Sequence, residues 1–298
     1  MAIDPRRLMR IASMASMTVA VILIGAKAAA WLITESVSML SSLIDSSLDL
    51  IASIVTFVAV RHALTPADAD HRFGHGKAEA LSGLAQAGFI AASGGGLLLT
   101  VGERIFHPHE VQNEMAGLGV SALAVALTLG LVLFQSYVVR KSGSIAIGAD
   151  RTHYFTDLVT NVAVGIAIFA SAYTRQPLID LVVAAGIALY LLHSAWQVSR
   201  ASLDVLMDRE LAEKERRRIV DIARAHAEVR GVHDLRTRSS GLTKFIQLHV
   251  ELDPGFPLIK AHEIGDEVEA EIQKFFPDAE IILHVDPFGV EERRARFA

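Results

Sequence analysis

The sequence predicts a membrane domain of six α-helices followed by a small α/β domain. Two stretches, 80–102 and 115–139, contain no Asp, Glu, Lys or Arg, and each is longer than the roughly 20 apolar residues that cross a bilayer. Near residue 200 the composition changes from apolar to charged and mixed. Beyond that point, two segments alternate apolar and polar residues as β-strands do. These observations exclude a purely soluble enzyme and a disordered or fibrous chain.

The predicted membrane domain contains six apolar segments. They lie at about 11–34, 36–60, 80–102, 115–139, 147–174 and 178–198. The segments on one side of the predicted membrane carry most of the flanking Lys and Arg residues. Because cytoplasmic loops are enriched in these residues, we expect both termini to lie in the cytoplasm. The predicted domains are therefore 1–207 in the membrane and 208–298 in the cytoplasm.

The C-terminal domain is predicted to have the order αββαβ, with both helices on one face of a three-stranded sheet. In the second predicted strand, Ile246 and Leu248 point to one face while Gln247 and His249 point to the other. The predicted helices lie at 210–226 and 259–274, and the predicted strands lie around 231–238 and at 243–252 and 279–286.

The net charge and the absence of cysteine exclude some classes of function. The formal net charge of −5 gives no overall positive field that would attract nucleic acid. Because the chain has no cysteine, it forms no disulfide, and any metal ion must be held by His and carboxylate groups.

Ionisable residues inside the apolar segments are the most informative feature. Asp45 and Asp49 lie four residues apart in the second segment, and His153 and Asp157 lie four apart in the fifth. This spacing puts each pair on one face of its helix. A charged side chain at the centre of a bilayer costs about 2.5–3.5 kcal/mol on insertion scales, so such pairs need a compensating cation, proton or water-filled cavity. The alternative is that both pairs serve only structural hydrogen bonds.

Three carboxylates and one imidazole suit a tetrahedral divalent ion such as Zn²⁺. Mg²⁺ and Ca²⁺ prefer six or more oxygen ligands, and we expect the site to reject them. With a divalent ion bound, the three carboxylates leave a residual charge of −1. The empty site is therefore also expected to accept protons.

The Asp45-x-x-x-Asp49 and His153-x-x-x-Asp157 pairs, the six spans and the αββαβ tail together resemble the cation diffusion facilitators, over nearly the whole chain. The resemblance is to the bacterial zinc/iron-type branch. It implies a homodimer in the bacterial inner membrane that exchanges cytoplasmic metal for protons, with a tail of ferredoxin-like fold as in metallochaperones. Zinc-specific members usually have His at the position of Asp45, so iron and cadmium stay open alongside zinc.

The same resemblance implies two further metal sites. One lies in the cytoplasmic loop between the second and third spans and consists of Asp68, His71 and His75; Asp70 could substitute for Asp68. The other lies in the tail, where a pair of ions would be held at the dimer interface. Its implied ligands are His233, His249, His262, His284 and Asp286.

Other function classes compete with a transporter. A membrane-anchored metal sensor would signal through the tail, but a mere anchor has no reason to carry four ionisable ligands in its spans. A metalloprotease is disfavoured because the sequence contains no H-E-x-x-H. An exchanger of monovalent cations is disfavoured because His153 is a poor ligand for Na⁺ or K⁺.

Overall fold

The computed structural model describes residues 4–35, 37–106, 118–174 and 178–290. Some predicted residues lie outside this range: residue 36 and residues 115–117 of the second and fourth spans, and the ends of the two predicted domains at 1–3 and 291–298. The chain divides into two compact units, Met1–Leu206 and Met207–Ala298.

The first unit contains six long helices. Their bounds are α1 Pro5–Thr34, α2 Val37–Ala63, α3 Ala78–Phe106, α4 Leu118–Ser142, α5 Ile145–Thr174 and α6 Leu178–Leu206. Within the described residues, five of them, all but α5, are long and apolar enough to cross a membrane. With α5, which is 30 residues long, they confirm the predicted six-helix membrane domain.

Small residues bring these helices close together. The buried hydroxyl groups of Ser16 on α1 and Ser53 on α2 are hydrogen-bonded at 2.9 Å. Gly94 lies where α3 meets α6, and a Cβ placed there would be 3.0 Å from the Leu191 Cβ and 3.2 Å from the Ala188 carbonyl oxygen. Because lipid tails are as apolar as the side chains, such close packing and polar contacts hold membrane helices together.

The start of α5 is fixed by a carboxylate from another helix. Gly143, with φ +67°, follows α4 and makes the tight connection to α5 possible. The Ser144 hydroxyl and the backbone N–H of Ala146 donate to Oε2 of Glu79, a buried residue in the first turn of α3. A carboxylate at a helix N-terminus satisfies free N–H groups and complements the helix dipole. Glu79 therefore anchors the helix that carries His153 and Asp157.

The second unit has the predicted order αββαβ. Its elements are α7 Glu213–Arg224, β1 Gly231–Ser240, β2 Thr243–Leu252, α8 Leu258–Phe275 and β3 Ala279–Pro287. The strands lie in the order β1-β2-β3, with β1 antiparallel and β3 parallel to β2. Parallel pairing of β2 and β3 requires a crossover connection, which α8 provides.

The core of this unit lies between the sheet and the two helices. Ile246, Leu248, Val250 and Leu252 of β2 are at most 2% exposed and pack with buried residues of α7 and α8. The predicted alternation of β2 is therefore confirmed on its apolar side. The other side of the sheet is left for the polar side chains of the alternate positions, among them His249.

Candidate metal sites

His153 on α5 lies between two carboxylates. Its Nε2 atom is 3.2 Å from Oδ1 of Asp49 on α2 and 3.5 Å from Oδ2 of Asp157, one turn further along α5. The His153 side chain is 6% exposed. Ligand atoms of the three residues lie within 4.8 Å of one another, close enough to share one metal ion. The structure thus brings together three of the four predicted ligands, from two different helices.

Asp45, the fourth predicted ligand, lies one turn before Asp49 on α2 and is exposed. It is not among the residues whose ligand atoms lie within 4.8 Å of one another. Nearby, Lys27 on α1 donates from Nζ to Oγ of Ser46 at 2.6 Å and to the carbonyl oxygen of Ser42 at 3.1 Å. This ammonium group places positive charge beside the turn of α2 that carries Asp45, and it partly offsets the negative charge of the aspartates.

Another buried carboxylate of α5, Asp150, is not among the predicted site residues. Gln135 on α4 donates to its Oδ2 at 2.6 Å, while Gln86 on α3 and Thr56 on α2 donate to its Oδ1 at 3.3 Å and 3.5 Å. Asp150 is fully buried and lies one turn before His153. Its hydrogen bonds tie four helices together next to the cluster, so Asp150 helps to hold His153 in place.

Replacing Asp150 with leucine is expected to lower the stability of the membrane unit by about 1–3 kcal/mol, because the amides of Gln135 and Gln86 lose their buried acceptor. Asp150→Asn should cost less, since an amide can still hydrogen-bond to both glutamines after they reorient. Thermal unfolding of the full chain in detergent measures the difference. A leucine variant as stable as the parent protein would contradict the role given to this network.

The loop cluster lies between α2 and α3 and is made of Asp68, His71 and His75. Asp68 Oδ1 is 3.3 Å from His71 Nδ1, and Asp68 Oδ2 is 3.3 Å from His75 Nε2. Gly74, with φ +74°, turns the chain so that both histidines face the same carboxylate. All three predicted residues are therefore brought together, with ligand atoms within 4.8 Å of one another.

Backbone hydrogen bonds favour the negatively charged form of the Asp68 side chain, which is the form that binds a cation. The backbone N–H of His71 donates to Oδ1 at 2.7 Å and that of Asp70 donates at 3.0 Å. These bonds, with that of His71 the strongest, lower the pKa of Asp68 below its usual value. Asp70, the alternative ligand, thus supports Asp68 through its backbone.

Three predicted histidines of the tail form a row across the sheet. His233 on β1 pairs with His249 on β2, and His249 pairs with His284 on β3. Directly paired residues project from the same face. The ring centroids are 5.1 Å apart for His233 and His249, and 4.8 Å apart for His249 and His284. The register of the strands therefore creates a histidine-rich surface opposite the core.

Asp286 joins this row. Its Oδ2 is 2.8 Å from His249 Nδ1 and 3.3 Å from His233 Nε2, and its Oδ1 is 3.1 Å from His284 Nε2. Ligand atoms of His233, His249 and Asp286 lie within 4.8 Å of one another. His284 and Asp286 lie two residues apart on β3. The prediction that they share one face of this strand agrees with their positions at this site.

Two residues differ from the predicted tail site. His262 lies on α8, where its exposed imidazole is 3.6 Å from Oδ2 of Asp266 on the same helix, away from the row of histidines. Glu251, which is not among the predicted ligands, has its Oε1 3.3 Å from His233 Nε2. Glu251 follows His249 by two residues on β2, and this spacing is the signal in the sequence that could have identified it.

Comparisons with known proteins match both units. The family described as the cation efflux transmembrane domain matches residues 13–207, and the one described as the cation efflux protein, cytoplasmic domain, matches residues 211–288. Among solved structures, the metal-bound C-terminal domain of the CzcD transporter from Thermotoga maritima is 28% identical, covers 26% of this chain and 93% of its own, and has a TM-score of 0.26.

Similar proteins extend over nearly the whole chain. The cation-efflux pump FieF of Shewanella oneidensis is 45% identical, over 95% of this chain and 95% of the relative. FieF of Cronobacter sakazakii is 43% identical, over 97% of this chain and 96% of the relative. The chain therefore belongs to the cation diffusion facilitators, a family of cation-efflux transporters, and it is a multi-pass membrane protein.

Proposed function

We propose that the protein exports a divalent transition metal, foremost Zn²⁺ and alternatively Fe²⁺ or Cd²⁺, from the cytoplasm in exchange for protons. It would act as a homodimer in the bacterial inner membrane, with both termini in the cytoplasm. The transport site would consist of Asp45, Asp49, His153 and Asp157. The relatives named cation-efflux pumps support this proposal.

The observation that carries the proposal is the contact of His153 with Asp49 and Asp157 inside the membrane unit, at 3.2 Å and 3.5 Å. Ionisable groups at this depth are costly, and they persist in membrane proteins where they serve an ion or proton pathway. One imidazole nitrogen and carboxylate oxygens from two helices form a mixed set of ligands that suits Zn²⁺. We propose that Asp45 approaches from the preceding turn of α2 to complete the set.

Protons and metal ions would compete for the same atoms. A metal ion binds the deprotonated imidazole and carboxylates, so metal binding releases protons and protonation releases metal. An imidazole nitrogen binds either a proton or a metal ion, so His153 would respond to the proton gradient across the membrane. Rearrangement of helices around the fixed site would expose it alternately to the two sides of the membrane.

The loop and tail clusters would bind metal without carrying it across the membrane. In the tail, we propose that His233, His249, His284 and Asp286 bind metal at an interface between two copies of the chain, with His262 as a further ligand there. An ion that binds the paired tails better than the separated ones stabilises the pairing. Dimer geometry would then respond to the metal level of the cytoplasm.

Proteoliposomes with an acidic lumen test the proposal. Protein molecules whose cytoplasmic face points outward should take up Zn²⁺ while protons leave the lumen. A gradient of one pH unit is worth about 1.4 kcal/mol per exchanged proton, so it supports roughly tenfold accumulation of Zn²⁺ for each proton exchanged at a clamped membrane potential. Dyes for Zn²⁺ and for pH inside the vesicles measure both fluxes.

Collapsing the pH gradient with a protonophore is the control and should remove the accumulation. Zn²⁺ uptake that is indifferent to the gradient would contradict proton exchange. A conformational change on metal binding without any flux would instead favour the membrane-anchored metal sensor.

A further inference from the structure

We propose that His62 is a fourth ligand of the loop cluster and completes a closed four-ligand site for a divalent ion such as Zn²⁺. The inference rests on the metal site proposed for Asp68, His71 and His75, and it adds one residue to that site. His62 lies in the last turn of α2 and is separated from His75 by the loop itself.

Three imidazole rings meet around His75. The His62 ring centroid lies 4.5 Å from that of His75, with an angle of 64° between the rings. The His71 ring centroid lies 4.6 Å from that of His75. The fold thus brings a histidine of α2 as close to His75 as the neighbouring histidine of the loop.

His75 is the buried member of the loop cluster. Its side chain is only 4% exposed, and its Nε2 atom faces Asp68. An ion beside Asp68 would therefore bind His75 through Nε2, and the buried ring holds this nitrogen in a fixed position.

The distances fit a small tetrahedral ion. Ligand atoms about 2.0–2.1 Å from such an ion lie about 3.3 Å from one another. The two contacts of Asp68, with His71 Nδ1 and His75 Nε2, are both 3.3 Å. His62 is outside the set of three whose ligand atoms lie within 4.8 Å of one another. Because its side chain is exposed, it can change rotamer toward the ion without disturbing a packed core.

A fourth protein ligand changes what the site does. Zinc sites with three protein ligands keep an open position, whereas structural sites are closed by four. With His62 bound, the ion would tie the last turn of α2 to the loop that leads into α3. Since α2 also carries Asp49, the loop ion would be a resident one that fixes the cytoplasmic end of this helix, and not an ion in passage.

Replacing His62 with cysteine tests the inference directly, because the chain contains no cysteine of its own. Reduced full-length protein in detergent is titrated with Co²⁺. We expect the near-ultraviolet charge-transfer absorption of a thiolate bound to Co²⁺, which the parent protein lacks. His193→Cys is the matched control, since His193 is an exposed histidine of α6 bonded to Gln197, and it should give no such absorption.

Two further variants identify the site. Adding Asp68→Asn to His62→Cys should abolish the thiolate absorption, because both residues bind the same ion. His62→Phe keeps a ring beside His75 but has no donor atom, and it should lower the affinity of the loop site for Co²⁺ at least about tenfold.

The possible outcomes distinguish a failure of the role proposed for His62 from a failure of the proposed loop site. If His62→Cys gives no thiolate absorption while Asp68→Asn lowers the Co²⁺ stoichiometry by one equivalent, the loop site stands and the role of His62 is overturned. Absorption that survives Asp68→Asn overturns it as well, because the thiolate then binds elsewhere. If neither variant changes Co²⁺ binding, the proposed loop site fails and the inference fails with it.

Discussion

Asp49→Ala is expected to abolish Zn²⁺ flux in proteoliposomes. Asp49 is the residue of α2 whose carboxylate reaches His153, with 3.2 Å between Oδ1 and Nε2. Without it, the ligands that remain in contact come from α5 alone, and the ion no longer joins the two helices. Asp49→Asn should be nearly as severe, because it keeps the shape of the side chain but removes the charge that binds the ion.

The matched control for Asp49 is Ser47→Ala. Ser47 is an exposed residue of the same helix, and its hydroxyl bonds to the carbonyl oxygen of Leu43 within α2. This variant removes a polar group two residues from Asp49 without touching the cluster and should transport normally. Size-exclusion chromatography establishes that both variants fold. Flux that persists in well-folded Asp49→Ala protein would refute the assignment of the transport site.

The parts of the fold with regular patterns could be predicted from the sequence. In β2, each second residue from Ile246 to Leu252 is apolar, and all four are buried as the alternation requires. The row of histidines depends in addition on how the three strands are aligned with one another. His233, His249 and His284 lie far apart in sequence, and the register between strands that aligns them is set by the whole sheet.

The i, i+4 spacing of residues within one helix predicts only part of the candidate transport site. The i, i+4 rule places Asp45 and Asp49 on the same face, but one turn separates them along the helix axis. The three-residue cluster therefore includes Asp49 and leaves Asp45 exposed one turn away. The same spacing does bring His153 and Asp157 into contact, because the imidazole is long enough to reach the carboxylate one turn further along the helix.

Asp150 shows why buried polar networks are hard to predict. Its position three residues before His153 in an apolar segment is visible in the sequence. Its hydrogen-bond donors come from α2, α3 and α4, and Gln135 and Gln86 lie in segments that contain no Asp, Glu, Lys or Arg. Only the packing of the helices shows that they meet at one carboxylate.

His153→Asp is expected to change which metal the protein carries. The substitution replaces the one nitrogen ligand with a fourth carboxylate, and a site made only of oxygen ligands favours harder ions such as Mn²⁺. We expect the preference for Zn²⁺ over Mn²⁺ to fall about tenfold, which corresponds to roughly 1.4 kcal/mol of differential binding. Competition between the two ions in proteoliposome flux measures this preference.

The pH dependence of metal binding gives the same substitution an independent readout. A carboxylate loses its proton at about pH 4, whereas an imidazole does so at about pH 6.5. Metal binding to His153→Asp should therefore persist to more acidic pH than binding to the parent protein. His153→Ala, which removes the ligand altogether, should weaken all metals alike. If His153→Asp leaves both the Zn²⁺/Mn²⁺ preference and the pH dependence unchanged, then His153 does not bind the transported ion, and its contacts with Asp49 and Asp157 serve only to hold α2 and α5 together.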